Sequence, residues 1–129
     1  MPVIHAADAV THDMHGSRFT SYAAPARGSS AELCAWRLDV PAGCEGTTHT
    51  VSREEIVFML GGTLLVTLGD GRDAAGVACR AGDAIVVPSG SSLRVDNPGG
   101  EPASSWVTTS VGQEAVLTDG SRLSPPWVR

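Results

Sequence analysis

The side chains with the clearest chemical potential in this 129-residue sequence lie around His49. Glu45 precedes His49, and Glu54 and Glu55 follow it within six residues. An imidazole beside a carboxylate can act as a general base near neutral pH, because the carboxylate raises the pKa of the imidazole and orients its ring. The same two groups are also common metal ligands. An imidazole with one of these carboxylates is therefore a candidate centre for catalysis or for metal binding.

Further candidate ligands lie outside this group. His12 and His15 are three residues apart in the N-terminal region, which also contains His5, and an arm folded over a site could deliver one imidazole to it. Cys44 lies just before His49. Loop histidines are most often exposed to solvent, and a free cysteine is most often a small buried thiol. The sequence leaves the roles of the three N-terminal histidines open.

Composition narrows the classes of function. The formal net charge of −5 argues against binding to nucleic acid or to an anionic membrane, and no apolar segment is long enough to span a bilayer. All nine basic residues are arginines, which excludes Schiff-base chemistry by a lysine. The three cysteines are an odd number without the spacing of a zinc ribbon, so free thiols are expected. Without a secretion signal, these features predict a cytoplasmic protein.

Short strands must position the candidate residues. From Ala31 to Val40, the side chains of Cys34, Trp36, Leu38 and Val40 fall on one face and those of Arg37 and Asp39 on the other, which is typical of a half-buried strand. Similar short segments recur about every ten residues between turns, which predicts an all-β sandwich or barrel. The predicted strands are 18–24, 31–40, 47–51, 55–60, 63–68, 76–80, 84–87, 92–96, 104–111 and 114–118, with a helical turn at 6–10, a hairpin turn at 69–71 and an extended tail at 124–127.

The length suits one domain with one core. Residues 1–30 are predicted to form an N-terminal arm that contains one strand. Residues 31–112 are predicted to form the barrel core, and residues 113–129 a C-terminal extension. A single domain therefore spans residues 1–129.

The turn residues and the candidate residues together form two motifs. The sequence from Gly43 to Gly62 resembles the first motif of the cupin superfamily, and the sequence from Gly82 to Asn97 resembles the second. Glycine and proline at such places form corners where strands cross between sheets. The resemblance implies a single antiparallel cupin β-barrel of the jelly-roll type. The eight positions that match are Gly43, His49, Glu55 and Gly62 in the first motif, and Gly82, Pro88, Gly90 and Asn97 in the second.

The chain departs from the family pattern at two of four ligand positions. In the family, these positions usually hold three histidines and a glutamate, which bind iron, manganese, nickel or zinc. Here the four positions are His49, Val51, Glu55 and Leu93, so half of the ligands are missing. Catalytic metal sites commonly need three protein ligands. The expected site is a degenerate one in which no cofactor is certain and any divalent ion is held weakly.

Valine and leucine in place of imidazole also predict a drier pocket. In an apolar pocket, His49 and Glu55 form the polar centre, and burial perturbs both groups further. The side chains expected to line this pocket are Val51, Leu93, Val57, Met59, Val95 and Trp36.

Three functions remain open, and the sequence does not decide whether the protein is an enzyme. The first is a barrel that binds a small organic molecule and transforms it by acid–base chemistry at His49 and Glu55. The second is a metal-dependent oxygenase or isomerase with a ligand recruited from elsewhere. The third is a non-enzymatic ligand sensor or accessory barrel. We also expect a homodimer, in which the segment from Arg18 to Ala24 could cover an exposed sheet edge across a two-fold axis.

Overall fold

A computed structural model describes residues 2–69 and 74–129 of the chain. Apart from two short 3-10 turns, Ala6–Asp8 and Pro126–Val128, the regular structure in these ranges consists of β-strands. None of the helices found there is long and apolar enough to cross a membrane. The strands are β1 (Val10–Met14), β2 (Ser17–Ala23), β3 (Leu33–Val40), β4 (His49–Val51), β5 (Glu55–Gly61), β6 (Thr63–Leu68), β7 (Gly76–Arg80), β8 (Ala84–Val87), β9 (Ser92–Asp96), β10 (Ala103–Ser110), β11 (Ala115–Leu117) and β12 (Arg122–Leu123).

The strands form two six-stranded antiparallel sheets that lie face to face. The first sheet has the order β1-β2-β3-β10-β5-β8, and the second has the order β12-β11-β4-β9-β6-β7. The paired strands are antiparallel throughout, and the two sheets do not close into one continuous hydrogen-bonded cylinder. This arrangement confirms the prediction of an all-β, jelly-roll type of fold.

The core lies between the two sheets because alternate side chains of each strand point inward. In β3 and β10, every second residue is buried, and the buried residues of the two strands are directly paired. One row across the first sheet joins Trp36, Val107, Val57 and Ile85. The neighbouring row joins Cys34, Thr109, Glu55 and Val87, so a carboxylate takes a core position.

Two glycines are required where the chain crosses between sheets. Gly62, between β5 and β6, has a φ of 71°, and a side chain there would collide with the backbone of Pro102 and Ala103. Gly46, just before β4, lies so close to the backbone of Val95 that a Cβ atom would overlap its carbonyl group. Both positions therefore need glycine for lack of space, and Gly62 also for its backbone conformation.

The predicted strands match the observed ones over most of the chain, with differences at the two ends. β1 was not predicted, yet it forms a hairpin with β2 and covers one edge of the first sheet. β2 pairs with β1 and β3 of its own chain, so the segment from Arg18 to Ala24 is already paired on both sides. The tail is not extended throughout, because Pro126–Val128 forms a 3-10 turn. The predicted hairpin turn at 69–71 lies largely outside the described residues.

Candidate functional site

A cavity of about 140 Å³ lies between the inner faces of the two sheets. Most of the surface that lines it is apolar. His49 and Glu55 both contribute to its wall, together with five of the six side chains that were expected to line the pocket. Those five are Val51, Val57, Leu93, Val95 and Trp36. The sixth, Met59, is fully buried in the core and does not line the cavity.

Glu55 is the buried polar group of this cavity. It is the first residue of β5, pairs with Thr109 of β10 and Val87 of β8, and has only 8% of its surface exposed. Burial raises the pKa of the Glu55 carboxyl to about 7, although a hydrogen bond from Gln113 lowers it. A carboxyl group with this pKa can both accept and donate a proton at neutral pH.

Gln113 holds the Glu55 carboxylate in place. The Gln113 Nε2 group donates to Oε2 of Glu55 at 2.8 Å and to the backbone carbonyl of Arg53 at 3.1 Å. Its Oε1 atom accepts from the Arg53 N–H at 2.8 Å and from the Ser52 hydroxyl at 3.0 Å. The amide thus makes all four of its hydrogen bonds, which fixes the orientation of its nitrogen toward Glu55.

His49 lies across the cavity and is not paired with Glu55. Its Nδ1 atom is 3.0 Å from the carbonyl oxygen of Thr47, so Nδ1 carries the proton and Nε2 is left for a ligand. Within the described part of the chain, no hydrogen bond or ion pair joins His49 to Glu55. The expected direct carboxylate–imidazole contact is therefore not formed among the described residues, and the observed hydrogen-bond partner of Glu55 is Gln113.

The residues around His49 do not fit a tightly bound divalent ion. Across the sheet, His49 pairs directly with Leu93 of β9 and Leu117 of β11, and Val51 pairs with Ala115. All of these neighbours are apolar, so none can complete the ligand set. In residues 2–69 and 74–129, no group of three or more histidine, cysteine, aspartate or glutamate residues is arranged to hold a metal ion. His49 and Glu55 alone would make an incomplete site.

Aromatic side chains form one part of the cavity wall. The rings of Phe19 and Trp127 are stacked, with centroids 3.7 Å apart and planes inclined by 8°. Trp36 lies against Trp127 at 6.4 Å, and all three side chains line the cavity. The N-terminal hairpin and the C-terminal tail, which are remote in sequence, therefore meet over the space between the sheets.

The C-terminal tail is held by polar contacts as well as by stacking. The hydroxyl of Ser21 donates to the carbonyl oxygen of Trp127 at 2.9 Å, and the Arg27 side chain donates to Ser21 at 2.8 Å and to the carbonyl of Pro126 at 3.3 Å. Trp127 and Val128 are buried as a result. The aromatic wall is therefore part of the folded core.

The remaining candidates lie at the rim of the cavity or outside it. His15 is exposed at the hairpin turn and lines the edge of the cavity, whereas His12 packs beside Trp127. Cys44 packs against the hairpin turn, with its Sγ atom 3.8 Å from the Ser17 hydroxyl, and does not line the cavity.

Gln113 and Trp127 were not selected as site residues from the sequence. Gln113 lies 58 residues after Glu55, in the turn between β10 and β11, and no spacing motif links the two. Trp127 follows two prolines in a segment without strand periodicity. One usable signal was that buried carboxylates require a hydrogen-bond partner, but this rule does not say which residue supplies it.

Comparison with known proteins gives one family and several structural neighbours. The family described as "Cupin domain" matches residues 36–109 of the chain. The sequence matches none of the curated proteins with which it was compared. The matched range begins at the fourth residue of β3 and ends at the last but one residue of β10. It includes both sequence motifs.

Three solved structures illustrate the similarity of the fold. An RmlC-like cupin from Shewanella frigidimarina superposes with a TM-score of 0.66 at 20% identity, over 82% of this chain and 86% of that protein. The polyketide cyclase RemF from Streptomyces resistomycificus gives 0.75 at 17% identity, over 88% and 81%. The oxalate decarboxylase of Lactobacillus farciminis gives 0.73 at 18% identity, over 93% of this chain but 34% of that protein. At these identities, the similarity shows the fold alone.

Proposed function

The chain belongs to the cupin family, and we propose that it binds a small organic molecule in the cavity between its sheets and transforms it by acid–base chemistry. Glu55 is the proposed catalytic group, Gln113 its positioning residue, and His49 a second polar contact for the ligand. The observation that carries this proposal is the buried Glu55 carboxyl, which faces an apolar cavity with a single amide partner.

The environment of Glu55 suits proton transfer. Gln113 occupies one carboxyl oxygen, Oε2, which leaves Oε1 for the ligand. A carboxylate at this place can remove a proton from a hydroxyl group or from a carbon next to a carbonyl, and the resulting acid can return the proton to another atom. Isomerisation, cyclisation and dehydration are reactions of this kind. The Nε2 atom of His49 can hydrogen-bond a ligand oxygen while Nδ1 remains on Thr47.

The structural neighbours agree with this proposal only at the level of fold. One of them is a polyketide cyclase and another an oxalate decarboxylase, so the same fold is used for different chemistry. The matched region covers only about one third of the oxalate decarboxylase chain. The proposed function therefore rests on the residues that line the cavity.

Native mass spectrometry of the purified protein tests the proposal. We expect a small molecule to be retained, and the released molecule to be turned over by the wild-type protein. Turnover should be lost in Glu55→Gln and reduced in His49→Ala, whereas Arg37→Ala, which removes an exposed side chain on the outer face of β3, should leave it unchanged. Retention without turnover would instead indicate a ligand sensor or accessory barrel. Turnover that survives in Glu55→Gln would contradict the catalytic role.

Metal analysis tests the alternative of a metal-dependent enzyme. Protein purified without chelator should contain less than about one-tenth equivalent of iron, manganese, nickel or zinc, because three ligands are not assembled around His49. The His49→Ala variant should contain the same amount. A stoichiometric metal that is lost in His49→Ala would favour the metal-dependent function over the one proposed.

We propose that the protein forms a homodimer through the outer face of the first sheet. Phe58 of β5 is 44% exposed, and Ile56, Leu60 and Val86 on the same outer face are exposed to a similar degree. A contiguous apolar face of this kind is typical of a protein interface, and a second copy of the same face would cover it. Light scattering should give twice the protomer mass for the wild type and one protomer mass for Phe58→Glu. A wild-type monomer would contradict the proposal.

A further inference from the structure

The lining of the cavity combines two kinds of side chain. Glu55 and Gln113 form a hydrogen-bonded polar pair, whereas Phe19, Trp36 and Trp127 form an aromatic wall. We infer that the cavity selects an uncharged aromatic molecule of about one ring that carries a hydroxyl group, such as a simple phenol. This inference rests on the proposed function and adds the class of ligand to it.

The size of the cavity suits one ring. Trp36 of β3 and Glu55 of β5 lie on neighbouring rows of the first sheet's inner face, on either side of β10. A row step of about 7 Å and two strand spacings of about 10 Å in total put their backbones about 12 Å apart. Because both side chains reach into the same cavity, a ring that packs against Trp36 can carry a substituent toward the Glu55 carboxyl. A cavity of about 140 Å³ is comparable with an apolar cavity of about 150 Å³ that binds benzene in another protein.

The charges around the cavity disfavour an anionic ligand. The ionisable side chains that line it within the described residues are Glu55, Glu114, His15 and His49, and no arginine is among them. The chain has no lysine. A carboxylate or phosphate ligand would have to leave water and approach Glu55 without a guanidinium or ammonium partner, which is unfavourable. A neutral hydroxyl group avoids this cost.

A hydroxyl group also matches the hydrogen-bonding capacity of the site. It can donate to the free oxygen of Glu55 and accept from a donor at the same time. The indole N–H of Trp36 is buried and has no hydrogen-bond partner among the described residues. A buried donor without a partner is costly, and an oxygen of the ligand that reached it would remove that cost.

Titration calorimetry with three molecules of similar shape tests the inference. The probes are 4-methylphenol, 4-methylbenzoate and 4-methylbenzylamine, which are neutral, anionic and cationic at pH 7. We expect one molecule of 4-methylphenol to bind per chain, at least tenfold more tightly than either charged probe. Binding should weaken about tenfold in Glu55→Leu, which removes the hydroxyl's partner.

Two tryptophan variants give the matched control. Trp127→Phe keeps an aromatic ring on Phe19 but reduces the wall, so 4-methylphenol should bind several-fold more weakly. Trp106→Phe changes a ring that packs on Tyr22, outside the cavity, and should leave binding unchanged. Equal weakening in both variants would indicate a general loss of structure and would overturn the assignment of the aromatic wall.

The possible failures can be told apart. Tighter binding of 4-methylbenzoate or 4-methylbenzylamine, sensitive to Glu55→Leu, would overturn the ligand class and leave the proposed function intact. If none of the three probes binds saturably, but a retained molecule is still turned over through Glu55, the ligand class is again overturned and the proposed function stands. If none of the three probes binds, and the purified protein neither retains a small molecule nor turns one over, both proposals are overturned.

Discussion

The two walls of the cavity differ in the polar partners that they provide for a buried side chain. The wall of β4, β9 and β11 is apolar around His49, because its neighbours in the sheet are Leu93 and Leu117. The wall of β5 and β10 buries the Glu55 carboxyl and supplies Gln113, a fully hydrogen-bonded amide, to hold it. The wall around His49 has apolar residues at two positions where the family's pattern has metal ligands, and the wall of β5 and β10 contains a buried acid.

This difference favours Glu55 over His49 as the centre of the proposed chemistry. A buried carboxyl group is unfavourable for folding unless it is paired, and a leucine in its place would avoid that cost. A buried carboxyl group with its own amide partner is therefore consistent with the proposed role of Glu55 in acting on a ligand. The apolar wall contributes shape and excludes water, which raises the pKa of Glu55.

The largest expected effect comes from restoring imidazoles to the apolar wall. The double variant Val51→His and Leu93→His should bind one equivalent of Ni²⁺ or Zn²⁺ at least about 100-fold more tightly than the wild type, because three imidazoles and Glu55 complete a ligand set. Titration calorimetry measures this gain. The double variant Val51→Ile and Leu93→Met is the control and should show none. A folded histidine variant without metal affinity would show that the four positions do not converge.

On the polar wall, Gln113→Leu should cost about 3 kcal/mol of stability. The change leaves the Arg53 N–H and C=O groups, the Ser52 hydroxyl and Glu55 without the partner that now satisfies them. Urea denaturation at pH 7.5 measures the loss. Thr118→Leu, an exposed change five residues further on, should alter stability by less than about 0.5 kcal/mol. A similar small effect for Gln113→Leu would show that the amide does not hold the wall together.

The titration of Glu55 makes the next prediction. Its pKa in the folded protein is raised to about 7 from 4.5, so the folded state holds this proton more tightly than the unfolded state does. The stabilisation is complete below about pH 4.5 and is lost as pH rises through 7. Relative to the wild type, Glu55→Gln should therefore gain about 2 to 3 kcal/mol in free energy of unfolding between pH 5 and pH 8.

Urea denaturation at several pH values measures this difference. Thr118→Leu, an exposed change that removes no titratable group, is the control, and its difference from the wild type should not change with pH. A difference for Glu55→Gln that is equally flat would mean that the carboxyl is better hydrated than its burial indicates.

The smallest effects come from exchanging a methyl and a hydroxyl group on each wall. Val51→Thr should cost about 1.5 kcal/mol, because it buries a hydroxyl on the apolar wall. Thr109→Val should cost about 1 kcal/mol, because the Thr109 hydroxyl donates to the Glu54 carbonyl at 2.7 Å. Thermal denaturation resolves both, with Thr50→Val as the control beside Val51. A neutral or stabilising Val51→Thr would show that the first wall is not dry.

Much of the fold was predictable from local patterns. Alternation placed Cys34, Trp36 and Leu38 on the inner face of β3, and the bounds of β6, β7, β8 and β9 were predicted as they are observed. The two ends of the chain were harder, because three of the five residues of β1 are polar, β12 has only two residues, and Pro126–Val128 owes its place to packing against β2 and β3. Such segments lack a strong propensity of their own.

For the site, the residue types and the tertiary contacts decided different things. The sequence alone determined that the protein is a cupin, that Val51 and Leu93 stand where ligands are usual, and that His49 and Glu55 face the same space. Only the tertiary structure decided that Glu55 pairs with Gln113 rather than His49, and that Trp127 closes the cavity against Phe19. Side-chain periodicity is a local property of a strand, whereas the partner of a buried carboxyl depends on which distant loop packs beside it.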